Sequence, residues 1–182
     1  DATHQVSDVY LVPSSSELAN YENALTAQVE VFAIKSLLEP IKNSYDYIII
    51  DTPPSDGIIT RNALVASDYA LIPAQAQTFA IKGLQQALEL LAKVKERYNP
   101  TLELAGIVPT MLQANTNVGG LFIEQLKGDY QGKLLPYAIP LTVKITESQL
   151  IGKPILDYEP SHPVSKAYLD LAKYIINLSE GN

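Results

Sequence analysis

Residues 45–57 read YDYIIIDTPPSDG, and the apolar stretch at their centre, 47–50, decides how the rest of the chain is read. It does not alternate apolar with polar residues, so it predicts a strand covered on both faces, the habit of parallel strands flanked by helices. It stops at Asp51-Thr52-Pro53-Pro54, where two prolines fix the backbone of the loop that follows. Upstream, 9–12 is a short apolar run ending at Pro13, and Ser14 with Glu17 has the spacing of a capping box. Leu18, Tyr21, Leu25, Val29 and Phe32 then recur at steps of three and four, which predicts a long helix ending near Pro40 or Asn43. Downstream the alternation continues with a helix over 57–66, a strand over 69–73 and a helix over 80–98 that carries Ile81, Leu84, Leu88, Leu91 and Val94 on one face. A strand over 104–109, a helical stretch over 118–127, a short strand over 134–137 and a closing helix over 164–178 complete the pattern. Such alternation specifies an α/β fold of three layers, a mostly parallel sheet with helices on both faces. No repeat, low-complexity stretch or linker divides 1–182, so a single domain is expected.

The 182 residues are 47% hydrophobic and 18% charged, with no Cys and a formal charge of −7. That supply of apolar residues supports a packed core and excludes disordered, collagen-like and disulfide-stapled classes. No window approaches the ~18 uninterrupted apolar residues of a spanning helix, so no integral membrane contact is expected. Without Cys there is no thiol catalysis and no Cys-ligated zinc or iron–sulfur site, and a cytoplasmic, reducing location fits. The acidic balance argues against bulk affinity for nucleic acid or anionic lipid and leaves room only for a local basic patch. The polar start DATHQVSD shows no targeting peptide, and a first residue other than Met suggests a chain beginning inside a longer reading frame.

In open α/β sheets, ligands sit at the carboxyl ends of strands. Asp51 stands at such an end, where a carboxylate can hold Mg²⁺ beside a nucleotide or can simply turn the chain. The G-x-x-x-x-G-K-[ST] loop that cradles phosphates does not occur in these residues: Gly152-Lys153 runs into Pro154, and Gly119-Gly120 into Leu121. These residues therefore do not complete a phosphate site. His4 and His162 are too few for a zinc site, and no G-x-S-x-G marks a hydrolase. The polar side of the closing helix balances Lys166 and Lys173 against Asp170, so it is expected to dock on the sheet rather than on a membrane.

The string YDYIIIDTPPSDGIITRNAL at 45–64 resembles the Walker B region of the ParA/Soj/MinD group of P-loop ATPases, whose members read approximately YD-apolar-IDxPPSxGxLTxNAL. LVPSSSELA at 11–19, GIVPTMLQANTN at 106–117, AIPLTVKITESQLIGKPILDYEPSHP at 138–163 and YLDLAKYI at 168–175 follow in the family's order, closer to ParA/Soj than to MinD. The resemblance implies the C-terminal two-thirds of such an ATPase domain, its P-loop strand lying upstream. It implies ATP or ADP and Mg²⁺ as cofactors, with Asp51 as the Walker B carboxylate on the metal and Pro53, Pro54 and Ser55 as a switch-like loop sensing the γ-phosphate. Thr110 and Met111, with Pro140, Leu141 and Thr142, would line the adenine pocket, or form an ordinary loop packed on the sheet. It also implies a homodimer with ATP, a ParB-like or adaptor protein that stimulates hydrolysis, association with the nucleoid, and plasmid or chromosome partition as the role. Two arginines used by relatives for non-specific DNA contact are missing: Gln113-Ala114-Asn115-Thr116 stands for Asp-x-Arg-Thr, and IPLTVKITESQ for IPRNVRLSEAP. Lys144, Lys153 and Lys166 remain as DNA contacts or as solvated surface charges. The competing readings are a non-catalytic interaction module that kept the fold and a MinD-like membrane-cycling ATPase.

Overall fold

The computed structural model describes residues 4–6, 9–14, 30–75, 80–113 and 116–181. They fall into two compact units, Asp1–Ser67 and Asp68–Asn182. In the first, His4–Val6 (β1) and Val9–Leu11 (β2) pair antiparallel, His4 opposite Leu11. Ala33–Leu38 (α1), a 3₁₀ turn at Lys42–Ser44, an irregular stretch over 47–57 and Ile58–Ala66 (α2) follow. Helices α1 and α2 pack together, and Val31, Ile59, Ala63 and Val65 are buried.

Residues 47–50 correct the expectation of a covered strand. They join no ladder among the described residues, and Ile49 is 93% exposed. A strand exists only where a neighbour's backbone meets its N–H and C=O groups, and here β1 and β2 meet each other. An apolar run measures what a segment can bury, not what covers it. Tyr10 of β2 does reach this region, its ring edge-on to Tyr45 at 5.5 Å between centroids. The expected capping box and most of the long helix after it lie outside the described residues; residues 30–32, expected within that helix, are not helical, and α1 begins at Ala33 with Phe32 as its N-cap.

The second unit carries the expected architecture. Tyr69–Gln75 (β3) and Glu103–Thr110 (β4) pair in parallel, joined through Ala80–Arg97 (α3), the helical crossover that parallel neighbours require. Asn117–Asp129 (α4), Val143–Leu150 (α5), Ile155–Tyr158 (α6) and Pro163–Glu180 (α7) complete it. The other edge of β4 is bridged in parallel by Leu134 and, past the strand's end, Leu112 is bridged by Pro140. The strand expected over 134–137 therefore shrinks to single bridges, because Pro136 has no N–H to continue a ladder.

Successive residues of β4 face opposite ways. Ile107 packs with Ala74, Leu84, Phe122 and Leu126, so α3 and α4 cover one side. Val108 packs with Leu135, Ile139 and Val164, with Ile145, Ile155 and Leu171 against them, so α5, α6 and α7 cover the other. Helix α7 is further fixed by hydrogen bonds: Tyr174 donates its hydroxyl to the Ala105 carbonyl at 2.6 Å, and Tyr69 donates to the Leu178 carbonyl at 3.4 Å. His162 caps α7, its Nδ1 accepting from the Val164 amide at 3.1 Å.

A register shift between Ala70 and Leu71 places Ala70 opposite Leu104 and Leu71 opposite Gly106, leaving Ala105 as the extra residue of a bulge. Directly after it, a Cβ on Gly106 would overlap the Leu135 side chain, with Cγ at 2.7 Å. Gly106→Ala is expected to destabilise the protein by roughly 1–3 kcal/mol in chemical denaturation. The loss should shrink in a Leu135→Ala background, because the two sites share one space.

Candidate functional site

Asp51 opens the loop that precedes α2. Its carboxylate is exposed and has no hydrogen-bond partner among the described residues. The backbone behind it is organised by the first turn of α2: Ser55 N–H donates to the Pro53 carbonyl at 2.8 Å, and Thr60 Oγ1 donates to the same carbonyl at 3.3 Å. Arg61 pairs with Asp56 at 2.8 Å. Asn62, fully buried, faces away toward α1. Its Nδ2 donates to the carbonyls of Glu30 (2.8 Å) and Ile58 (3.0 Å), and its Oδ1 accepts from the Ile34 amide at 3.2 Å. Phe32, the N-cap of α1, offers no side-chain acceptor, so Asn62 caps that helix from another one.

No cluster of three or more His, Cys, Asp or Glu residues that could hold a metal occurs among the described residues. A lone exposed carboxylate does not make a protein-only cage. It does suit Mg²⁺, which retains waters and takes one or two carboxylates together with substrate phosphates.

In the second unit, the carboxyl end of β4 meets residues 139–141. Leu112 N–H donates to the Ile139 carbonyl at 3.1 Å, and Leu141 N–H donates to the Leu112 carbonyl at 3.1 Å. Between Leu112 and Pro109, whose carbonyl accepts from Ile139 N–H at 2.8 Å, Met111 adopts φ 51°, the left-handed region that a residue with a side chain rarely takes. Such a conformation costs about 1–3 kcal/mol and persists where the surroundings over-determine it, as the flanking bonds do here. It leaves the Met111 side chain exposed at the rim of a pocket of about 270 Å³ lined by Gln75, Met111, Gln113, Thr116, Val118, Gly119 and Leu141. Thr116 caps α4, accepting from Gly119 N–H at 3.1 Å and donating to the Gln113 carbonyl at 2.8 Å. A Cβ on Gly119 would meet that same carbonyl and, at 3.2 Å, the Thr116 Oγ1, so loop and helix approach closely only because this residue has no side chain.

The structure thus brings Thr110 and Met111 beside 140–142, but only Met111 and Leu141 of these five line the pocket. Thr110 ends β4 opposite Gln75, Pro140 bridges Leu112, and the Thr142 hydroxyl accepts from Lys144 N–H at 3.3 Å as the N-cap of α5. Gln75, Gln113, Thr116, Val118 and Gly119 escaped the sequence reading. Gln75 was within reach of it: the rule that ligands gather at carboxyl ends of strands applies to β3 as well as to β4.

Of the three lysines, Lys144 is engaged. Its Nζ lies 2.8 Å from Glu147 Oε2 and 3.4 Å from Glu159 Oε1, and 5.7 Å from the centre of the Tyr158 ring. Tyr158 donates its hydroxyl to Glu147 at 2.9 Å. The hydrogen bond from Lys144, then that from Tyr158, holds the Glu147 carboxyl below the usual range, and the bond to Glu147 raises both Lys144 and Tyr158. Lys153 and Lys166 are exposed. The depressed Glu147 contributes stability above the ordinary carboxylate range and loses it as pH falls through its lowered value. The raised Lys144 contributes below the ordinary lysine range and loses it as pH rises through its raised value. The difference in melting temperature between the parent and Glu147→Gln is therefore expected to be greatest between those ranges and to close at both ends.

Comparison with known proteins places these features in context. The AAA domain family AAA_31 matches residues 2–104. The chain is 39% identical over 171 residues to the sporulation initiation inhibitor protein Soj of Bacillus subtilis (strain 168), an alignment covering 93% of this chain and 68% of Soj. It is 34% identical over 167 residues to the chromosome partitioning protein ParA of Myxococcus xanthus, covering 91% of this chain and 59% of that protein. The crystal structure of cobyrinic acid a,c-diamide synthase from Mycobacterium smegmatis with bound ATP analog and magnesium matches with a TM-score of 0.72 and 30% identity, over 78% of this chain and 59% of that one. The chain thus spans 59 to 68% of the length of these proteins.

Proposed function

Since the chain belongs to the ParA/Soj family of partition ATPases, we propose that residues 1–182 are the C-terminal part of one ParA-like ATPase domain that positions plasmid, chromosome or other cargo through cycles of MgATP binding and hydrolysis. In this reading Asp51 binds on the metal side, and Pro53, Pro54 and Ser55 border the γ-phosphate. Met111 and Leu141 close on the adenine, while Thr110, Pro140 and Thr142 frame that contact rather than make it. Magnesium, when bound, neutralises charge on the phosphate oxygens, and catalysis in such sites comes from positioning and charge stabilisation. The phosphate-binding loop belongs to residues upstream, whose strand also covers the apolar 47–50. The observation that supports the reading is the pairing of Leu112 with residues 139–141, which brings Met111 and Leu141 to one pocket, with Met111 held in a strained conformation at its rim. The active form would be a homodimer with ATP, stimulated by a ParB-like or adaptor partner.

DNA contact in this reading is weak. Lys144 is paired with two carboxylates, so of the three lysines considered Lys153 and Lys166 are left for phosphates. Fewer phosphate contacts give a flatter dependence of binding on salt, and retention on non-specific duplex should be close to nil at physiological ionic strength.

In a chain that includes the upstream residues, Asp51→Asn is expected to lower Mg²⁺-dependent ATP turnover by about 10²-fold or more, as loss of one preorganised electrostatic contact does elsewhere. Residues 1–182 alone are expected to show no turnover. Undiminished turnover by the Asp51 variant, or Mg²⁺-dependent hydrolysis by the 182 residues, would refute the assignment.

A further inference from the structure

We propose that Arg61 is a positioning residue for the loop after Asp51, acting through Asp56 as a reversible latch. The inference rests on the reading above, in which that loop borders the nucleotide, and adds to it a device built from two further residues.

Three consecutive residues of α2 divide the work. Asn62 is buried and spends all three of its hydrogen-bonding groups on Glu30, Ile34 and Ile58, so the start of α2 is anchored to α1. Thr60 and Arg61 turn to the loop instead, reaching the Pro53 carbonyl and the Asp56 carboxylate. The base is fixed and the two bonds to the loop are exposed.

The placement of Arg61 supports a dedicated role. It is the fourth residue of α2, close to the helix's positive end, where a cation is disfavoured and an anion is favoured. Asp56, just before the N-cap Gly57, supplies the anion that offsets it. The pair therefore folds the loop back over the helix terminus, with Ser55 between Pro53 and Asp56. The side chains are 35% and 53% exposed, so the contact is weak and screened by salt. A weak latch on a rigid base gives a loop that is mostly closed and opens readily. A ligand that requires the closed pose then binds in proportion to the closed fraction.

The test uses the full chain with its upstream residues and compares the parent, Arg61→Gln, Asp56→Asn and the charge swap Asp56→Arg/Arg61→Asp. Amide hydrogen exchange of residues 55–57 reads the latch without ligand; calorimetric affinity for MgADP reads its consequence. Each single variant should exchange about two- to fivefold faster at low salt. The swap should restore the parent rate, and the differences should vanish near ~1 M salt. MgADP affinity should weaken by the smaller factor by which the closed fraction falls, and recover in the swap. Exchange unaltered in both single variants, or equally fast in the swap, overturns the latch. Exchange that responds while MgADP affinity does not move leaves the latch standing and removes the loop from the nucleotide site.

Discussion

The ladder that β4 makes on both edges is the constraint on which the second unit depends. With β3 on one side and residues 133–141 on the other, its backbone groups are satisfied and its side chains must go alternately to two helical layers. Ile107 and Val108, adjacent in the chain, anchor opposite cores. The same ladder sets the pocket, because the bonds at Pro109 and at Leu112, on either side of Met111, hold that residue in its left-handed conformation. Packing and site geometry are consequences of one pairing.

The first unit is organised differently. Its determining contact is a side chain, the buried Asn62 amide, which does for α1 what a local capping residue would normally do. A polar group in such a place is tolerated because every one of its hydrogen-bonding groups is matched. The two devices share a logic: a rigid backbone or amide anchor lies behind, and exposed residues stand in front.

Much of this was legible in the residues. Helix α2, strands β3 and β4, and helices α3, α4 and α7 lie within a few residues of the ranges that apolar periodicity indicated, because each buries a face wide enough to show as a pattern. Helices α5 and α6 were passed over; they are short, and α5 announces itself only through Thr142, a cap without the acidic partner of a capping box. The run at 47–50 showed its apolar character but not its exposure, since covering is a property of neighbours. At the candidate site, Met111 and Leu141 could be named from the motifs, whereas Thr116 and Gly119 become pocket residues only because α4 begins where β4 ends. The spacing of Lys144 and Glu147 hints at an ion pair. Glu159, twelve residues further on, could not be foreseen as its second carboxylate partner.

The central claim is that the carboxylate of Asp51 faces the divalent ion of a bound nucleotide. The most direct measurement replaces Mg²⁺ by paramagnetic Mn²⁺ and follows backbone amide signals of the full-length protein with and without ADP. The account predicts broadening of the signals of residues 51–57 that appears only when ADP is present. Broadening centred elsewhere, with 51–57 left sharp in the ADP complex, would contradict it.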